Sequence, residues 1–144
     1  MSEQNFKNHG RMVPMFHYVA FTAALFPLFI TAIHFFRAIS DGSGRLYAAA
    51  MLSLVIAVVL ALWYARSFAL RAQDRAIRAE ENMRHFIATG KLLDNRLSMR
   101  QIVGLRFAGD DEFLDLAKKA IDENLSQKQI KMAVKNWKAD NNRV

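Results

Sequence analysis

The sequence predicts an all-α membrane protein, and three observations lead to that prediction. Charges are unevenly distributed: residues 12–65 contain only Arg37, Asp41 and Arg45, whereas residues 66–144 contain 16 Lys/Arg and 11 Asp/Glu. The apolar half holds two uncharged stretches of about 20 residues, the length that crosses roughly 30 Å of hydrocarbon. A glycine-containing loop separates them. We therefore expect an antiparallel two-helix transmembrane hairpin, a second helix extended into a cytoplasmic stalk, and three short helices after it.

The elements follow in order. Residues 1–16 form an N-terminal segment, residues 17–36 the first span and residues 46–65 the second. The loop at 37–45 contains Asp-Gly-Ser-Gly, which is strong turn chemistry. Two buried helices of a soluble core would need a partner that covers them on all sides, and the rest of this chain is too small for that. Residues 66–90 continue the second helix as the stalk, and residues 91–144 form a three-helix cap.

The orientation follows from the positive charges near the span ends. The loop between the spans offers Arg37 and Arg45, whereas the opposite side offers a larger set: Lys7, Arg11, Arg66, Arg71, Arg75, Arg78 and Arg84. Because Lys and Arg are enriched on the cytoplasmic side, both termini are expected in the cytoplasm and the loop in the periplasm. Pro27 lies within the first span and predicts a kink there, because it removes one backbone donor.

Small residues recur every three or four positions along the second helix. This small-residue seam consists of Ala49, Ser53, Ala57, Ala61, Ala65, Ala69, Ala72, Ala76 and Ala79. Small residues let helix backbones approach closely, and such packing drives helix association in lipid. From Ala65 the spacing alternates between four and three residues and continues to Met83 and Phe86, which is a heptad-like pattern. The seam either closes the hairpin or binds another chain, and the stalk part either packs in an oligomer or is covered by the cap.

Charged residues occupy the other side of the stalk, including Asp74, Arg78, Glu80, Glu81 and Arg84. Asp74 with Arg78 and Glu80 with Arg84 are favourable pairs at four-residue spacing, each stabilising a helix by about 0.2–0.5 kcal/mol. An alanine seam buries little area, so its association would depend on the membrane part.

The cap carries clear helix-start signals. Ser98 with Gln101 and Ser126 with Gln129 are capping boxes, and each is flanked by apolar residues at staple positions. The predicted helices carry Ile102 to Phe107 and Phe113 to Ile121, and the last extends from Ile130 through Trp137. That last helix would align four lysines in one basic stripe: Lys128, Lys131, Lys135 and Lys138. The stripe is either a solvated face or a contact for anionic headgroups. Nucleic-acid binding is not expected, because no cluster of base-reading side chains opens the helix.

The N-terminal string at residues 4–17 reads Gln-Asn-Phe-Lys-Asn-His-Gly-Arg-Met-Val-Pro-Met-Phe-His. Together with Leu-Arg-Phe-Ala at 105–108 and Lys-Asn-Trp-Lys at 135–138, it resembles an uncharacterised family of small bacterial two-span proteins. The resemblance extends over nearly the whole chain. It implies a bacterial inner-membrane protein of unknown function and an N-terminal string with a structural or binding role. It implies no catalytic residue.

No catalytic, cofactor-binding or metal-binding constellation is predicted. The chain has no cysteine, which removes thiolate sites and cysteine nucleophiles. His17 and His34 lie about 25 Å apart by helical rise, so a haem between them would need a mate for each from another chain. His9 with His17 shows no compact metal-ligand spacing, and the sequence predicts no role for His85. The spans carry no carboxylate for a proton relay. We therefore expect no enzymatic activity.

Three functions fit these features. The first is a non-catalytic structural or accessory subunit of a bacterial inner-membrane assembly, with lipids and other membrane subunits or further copies as partners. The second is a homo-oligomeric pore or holin-like protein, although the only polar lumen candidates are Thr22, Thr31 and Ser53. The third is a membrane-tethered adaptor whose cap binds anionic lipid or a cytosolic protein.

Overall fold

The structure is a computed structural model that describes residues 4–8, 10 and 12–140. A π-helical segment, Met15–Ala20, leads into α1 (Phe21–Asp41), and α2 is Arg45–Thr89. The short helices are α3 (Met99–Leu105), α4 (Phe113–Asp122) and α5 (Gln127–Ala133). Within the described residues there is no strand, and an isolated antiparallel bridge joins Ala108 to Trp137. The predicted all-α class is confirmed.

The chain divides into two compact units. The apolar unit is Met12–Phe68, and the charged unit comprises the described residues of 1–11 and 69–144. Two segments are long and apolar enough to cross a membrane: Met15–Asp41, whose best window has a mean hydropathy of 2.0, and Arg45–Thr89, with 2.4. Only 6% of each window is buried, whereas a core helix of a soluble protein is mostly buried.

The turn between the two long helices is shorter than the predicted loop. Helix α1 runs on to Asp41, and only residues 42–44 lie outside a helix. Gly42 (φ +77°) donates its N–H to Ala38 O at 3.1 Å, and Gly44 also has a positive φ (+66°). This left-handed region strains other L-residues, so glycine at both positions permits the three-residue turn between α1 and α2.

Each helix of the apolar unit has a stripe of buried and half-buried residues. The first stripe begins at Ala20, the last residue of the π-helical segment, and follows spacings of four and three residues along α1 through Ala24, Pro27, Thr31, Phe35 and Ala38. On α2 the stripe follows Ala48, Leu52, Val55, Val59, Leu62 and Arg66. The most covered members are all alanines: Ala24, Ala38 and Ala48. Alternating fours and threes are typical of helices that pack at about 20° to one another.

The second long helix extends far beyond its apolar window. It ends at Thr89, and Gly90 (φ +72°) donates its N–H to Phe86 O at 2.7 Å. In the charged unit, Ile77 of this helix joins a core made by the cap. Other members of that core are Leu93, Leu97, Ile102, Leu105, Phe113, Leu116, Ala117, Ala120 and Ile130. The cap therefore folds onto α2.

Both predicted capping boxes are confirmed. The Ser98 and Ser126 hydroxyls accept from the N–H of Gln101 and Gln129, and each glutamine Oε1 accepts from its serine's N–H at 2.8 Å. Gln101 also donates from Nε2 to Ala120 O (3.2 Å) and Leu125 O (3.0 Å), so it binds the end of α4 as well. Such reciprocal caps satisfy backbone donors that would otherwise be unpaired.

The prediction that the last helix extends to Trp137 is wrong. Helix α5 ends at Ala133, and Val134 is extended (φ −63°, ψ 124°). The backbone beyond it is bound elsewhere: the Glu112 carboxylate accepts the N–H groups of Lys135 and Asn136 at 2.9–3.1 Å. Lys138 N–H donates to Phe107 O at 2.8 Å. The backbone after α5 therefore bonds outside a helix. Phe107, which was predicted within the first short helix, lies beyond α3, because α3 ends at Leu105.

Candidate interaction surface

An ion-pair cluster holds the cap against α2. The Arg84 guanidinium binds Glu81 Oε2 at 3.1 Å and donates from Nε to Asp110 Oδ1 at 2.6 Å and from Nη2 to Ala108 O at 2.8 Å. Its central carbon lies 4.1 Å from the ring centroid of Phe113, within cation–π range. The sequence predicted Glu80 as the partner of Arg84, but the acidic residue of α2 that Arg84 contacts is Glu81. The cluster therefore joins one face of α2 to the start of α4.

Glu81 is the most buried acidic group of this cluster, with 5% of its surface exposed. Burial raises its pKa above the usual 4.5, and the neighbouring Arg84 opposes this shift. A buried carboxylate is costly unless it is paired. The pairing with Arg84 therefore offsets part of the cost of burying the Glu81 carboxylate, while Arg84 also binds the cap through Asp110 and Ala108.

The opposite side of α2 in the charged unit is left uncovered. We call this the stalk face and define it as Ala72, Ala76, Ala79, Met83 and Phe86. All five residues are exposed, and the two large ones have 58% (Met83) and 49% (Phe86) of their surface exposed. Large apolar groups grouped on a surface mark interaction sites more often than isolated ones do.

A groove of about 780 Å³ lies beside the stalk face. Ala79, Met83 and Ile87 line it from α2, and Phe113 and Leu114 line it from α4. Ile87 has 78% of its surface exposed. Charged residues also line the groove, namely Glu80, Arg84, Asp110 and Lys138, so it adds an apolar floor with a charged edge to the exposed surface of the charged unit.

The membrane half of the small-residue seam is not the covered stripe of α2. Ser53, Ala57, Ala61 and Ala65 are exposed, and Ala49 is half-buried. The Ser53 hydroxyl donates to Ala50 O at 2.8 Å, so its polar group is satisfied within the helix. In the charged unit Ala69 is half-buried, and the other seam members there belong to the stalk face. Within the apolar unit, Ala48 is the buried residue of α2 and lies off the seam, as do most of the half-buried residues of that helix.

The N-terminal string contacts the C-terminal segment. Gln4 accepts the N–H of Asp140 at 2.8 Å and donates from Nε2 to Asp140 O at 3.3 Å. The indole N–H of Trp137 donates to Gln4 Oε1 at 3.5 Å, and this indole stacks on Phe107 with centroids 4.7 Å apart. Sequence reasoning singled out these three strings without finding that they meet. The sequence signal that pointed to this contact is that all three strings together carry the family resemblance.

The four lysines of the predicted stripe do not share one helix. Lys128 and Lys131 lie on α5, whereas Lys135 and Lys138 follow it. Lys131 is half-buried, with Nζ 5.1 Å from the Phe107 ring centroid, and the other three are exposed. Lys138 borders the groove beside the stalk face. The structure thus distributes the basic groups around the cap.

The comparisons with known proteins identify the family. The model of a family of unknown function, DUF6526, matches residues 1–144. The chain belongs to this family. The resemblance to an uncharacterised family is thereby confirmed. No curated protein and no solved structure matches the chain.

The remaining polar candidates of this DUF6526 chain have local roles. His17 Nδ1 lies 3.0 Å from Val13 O, and His85 Nδ1 lies 2.7 Å from Lys91 O. His34 is exposed on α1, and His9 lies outside the described residues. Pro27 lies inside α1, where its carbonyl accepts the Thr31 hydroxyl at 2.7 Å. In the described part of the chain, no three His, Asp or Glu side chains are grouped to hold a metal ion.

Proposed function

We propose that this DUF6526 chain is a non-catalytic accessory subunit of a bacterial inner-membrane assembly, and that it binds neighbouring chains through the small-residue seam. The observation that carries the proposal is the exposure of the seam. In the apolar unit the buried residue of α2, Ala48, lies off the seam, and in the other unit the cap covers the face of α2 that carries Ile77, Glu81 and Arg84. An apolar surface of closely spaced small residues, left free by its own chain, suits a neighbouring helix.

Membrane insertion as an antiparallel hairpin is supported by three features of the apolar unit. Its helices have long apolar windows of which only 6% is buried. Each has a mostly half-buried stripe with the spacing of packed helices. Finally, the Arg66 guanidinium carbon lies 6.0 Å from the Phe16 ring centroid, although residues 42–44 are the turn. The start of the first apolar helix and the end of the second apolar window therefore lie side by side.

A cytoplasmic location of both termini is supported by charge and by contact. The positive charges near the span ends favour the side of the termini, as the distribution of Lys and Arg in bacterial membrane proteins requires. The hydrogen bonds between Gln4 and Asp140 keep the two ends of the chain together in the charged unit. An even number of spans satisfies that contact, because both ends then lie on one side.

Affinity purification from membranes solubilised in mild detergent tests the proposal. The full chain should co-purify with at least one other membrane protein, identified by mass spectrometry. The seam variant Ala57→Leu with Ala61→Leu should reduce that yield several-fold, because the larger side chains block close approach. Ala50→Leu is the matched control, since Ala50 is exposed but lies off the seam. Purification without any partner, or equal yields from both variants, would contradict the proposal.

The topology has its own test, which uses the absence of native cysteine. A membrane-impermeant maleimide should label Ser43→Cys in cells with a permeabilised outer membrane. Asn95→Cys, which is exposed in the charged unit, should react only after the inner membrane is opened. The reverse labelling pattern would show that the termini are periplasmic.

A further inference from the structure

We propose that a second copy of this chain covers the stalk face, in a parallel and in-register pair of α2 helices. In this pair, Arg75 of each copy faces Glu80 of the other. The inference rests on the proposed function in one respect. Copies inserted in a membrane share one orientation, so their α2 helices run parallel.

The stalk face has the pattern of a two-stranded helical seam. Its spacings alternate between four and three residues, so Ala76 and Met83 occupy one core position of the heptad, and Ala72, Ala79 and Phe86 the other. The alanines allow close approach of the backbones, and the exposed Met83 and Phe86 enlarge the contact at the end next to Gly90. The cap borders this surface at the groove that Ala79 and Met83 share with α4, but it leaves all five residues of the stalk face exposed, and its core includes Ile77 on another face.

Charge complementarity selects a second copy in parallel register. Arg75 directly precedes the core residue Ala76, and Glu80 directly follows the core residue Ala79. These are the two kinds of position that flank the seam of a heptad repeat. In a parallel pair such residues, five apart in sequence, face each other across the seam. Arg75 would therefore meet Glu80 of the other copy, and this happens twice by symmetry. Both side chains are exposed in the single chain.

An antiparallel pair would lose this match. Positions of the same kind then face one another, so Arg75 would meet Arg75 or Asn82 of the other copy, neither of which is acidic. Flanking charges set the orientation of helical pairs in this way. The charges and the membrane thus favour the same arrangement.

Disulfide crosslinking in native membranes tests the inference, because the chain contains no cysteine of its own. Single variants Ala72→Cys, Ala76→Cys and Ala79→Cys should form disulfide-linked homodimers on mild oxidation. Arg78→Cys is the matched control, since it is exposed but lies off the stalk face. Homodimers from the three seam variants, at least five-fold above the control, are the expected result. Equal crosslinking at Arg78→Cys would indicate random collision and overturn the inference.

Charge exchange tests the register. In the Ala76→Cys background, Arg75→Glu and Glu80→Arg should each lower the homodimer yield several-fold, because like charges then face each other. The double exchange should restore the yield, whereas Arg78→Glu should leave it unchanged. Failure of the double exchange to restore crosslinking would overturn the parallel register.

The outcomes also separate this inference from the proposed function. A disulfide-linked product with a different protein would overturn the second copy and leave the accessory role standing. Homodimers together with a purification that yields only this chain would support the second copy and contradict the accessory role.

Discussion

The two faces of α2 in the charged unit differ in burial and in polarity. The face covered by the cap carries Ile77 together with the charged pair Glu81 and Arg84. The stalk face, which is entirely apolar, is exposed. A self-sufficient soluble helix buries its apolar stripe and exposes its charges. The covered face of α2 thus combines a buried ion pair with the apolar core of the cap, whereas the apolar stripe on the stalk face has no covering within the described residues, as the proposed contact with a second copy requires.

The largest effect on the free energy of unfolding is expected from weakening the packing of the cap against the covered face of α2. Phe113 is 1% exposed and packs under Arg84, so Phe113→Ala should lower the free energy of unfolding by about 3–5 kcal/mol. Met83→Ala on the stalk face should cost less than about 1 kcal/mol, because Met83 is already exposed. Urea unfolding of the full chain in detergent, followed by Trp137 fluorescence in a Trp63→Phe background, measures both. Similar losses for the two variants would remove the distinction between the faces.

Arg84→Met is expected to have the next largest effect. It leaves the buried Glu81 carboxylate without its cation and should cost about 3 kcal/mol of unfolding free energy. Adding Glu81→Gln should recover much of that loss, because a neutral amide is less costly to bury. The same unfolding measurement tests the pair. No recovery in the double variant would show that Arg84 acts mainly through Asp110 and Ala108.

The pH dependence of stability should reflect Glu81. Because burial raises its folded-state pKa above the usual 4.5, the folded protein binds this proton more tightly than the unfolded chain. Its contribution is fully present below about pH 4.5 and is lost as the pH rises through the raised pKa. Glu81→Gln should remove this part of the decline in unfolding free energies measured between pH 4 and 8. An identical slope in the variant would contradict the assignment.

The smallest effect on the single chain is expected on the stalk face. Ala72→Gln should change the free energy of unfolding by less than about 0.5 kcal/mol, because Ala72 is exposed and glutamine favours helices. The same change should reduce homodimer crosslinking at Ala76→Cys, since a long polar side chain separates the helices. A loss of stability without a loss of crosslinking would reverse the roles of the two faces.

Local signals predicted much of the fold. The capping boxes at Ser98 and Ser126 start α3 and α5 as expected, and Gly90 ends α2, because these signals act within a few residues of the chain. The candidate surface was predicted in part. The spacing of the seam is visible in the sequence, but the face that the cap covers is not, because Arg84 meets Asp110 only in the folded chain.

The sequence by itself determined the two apolar helices, the glycine turn between them, the long extension of α2 and the starts of the short helices. All of these depend on composition, on spacing along a helix or on residues three or four apart. Only the tertiary structure decided where α5 ends, because Glu112 binds the backbone of Lys135 and Asn136. It also decided which face of α2 is covered. These outcomes depend on contacts between residues more than 20 positions apart, which periodicity cannot encode.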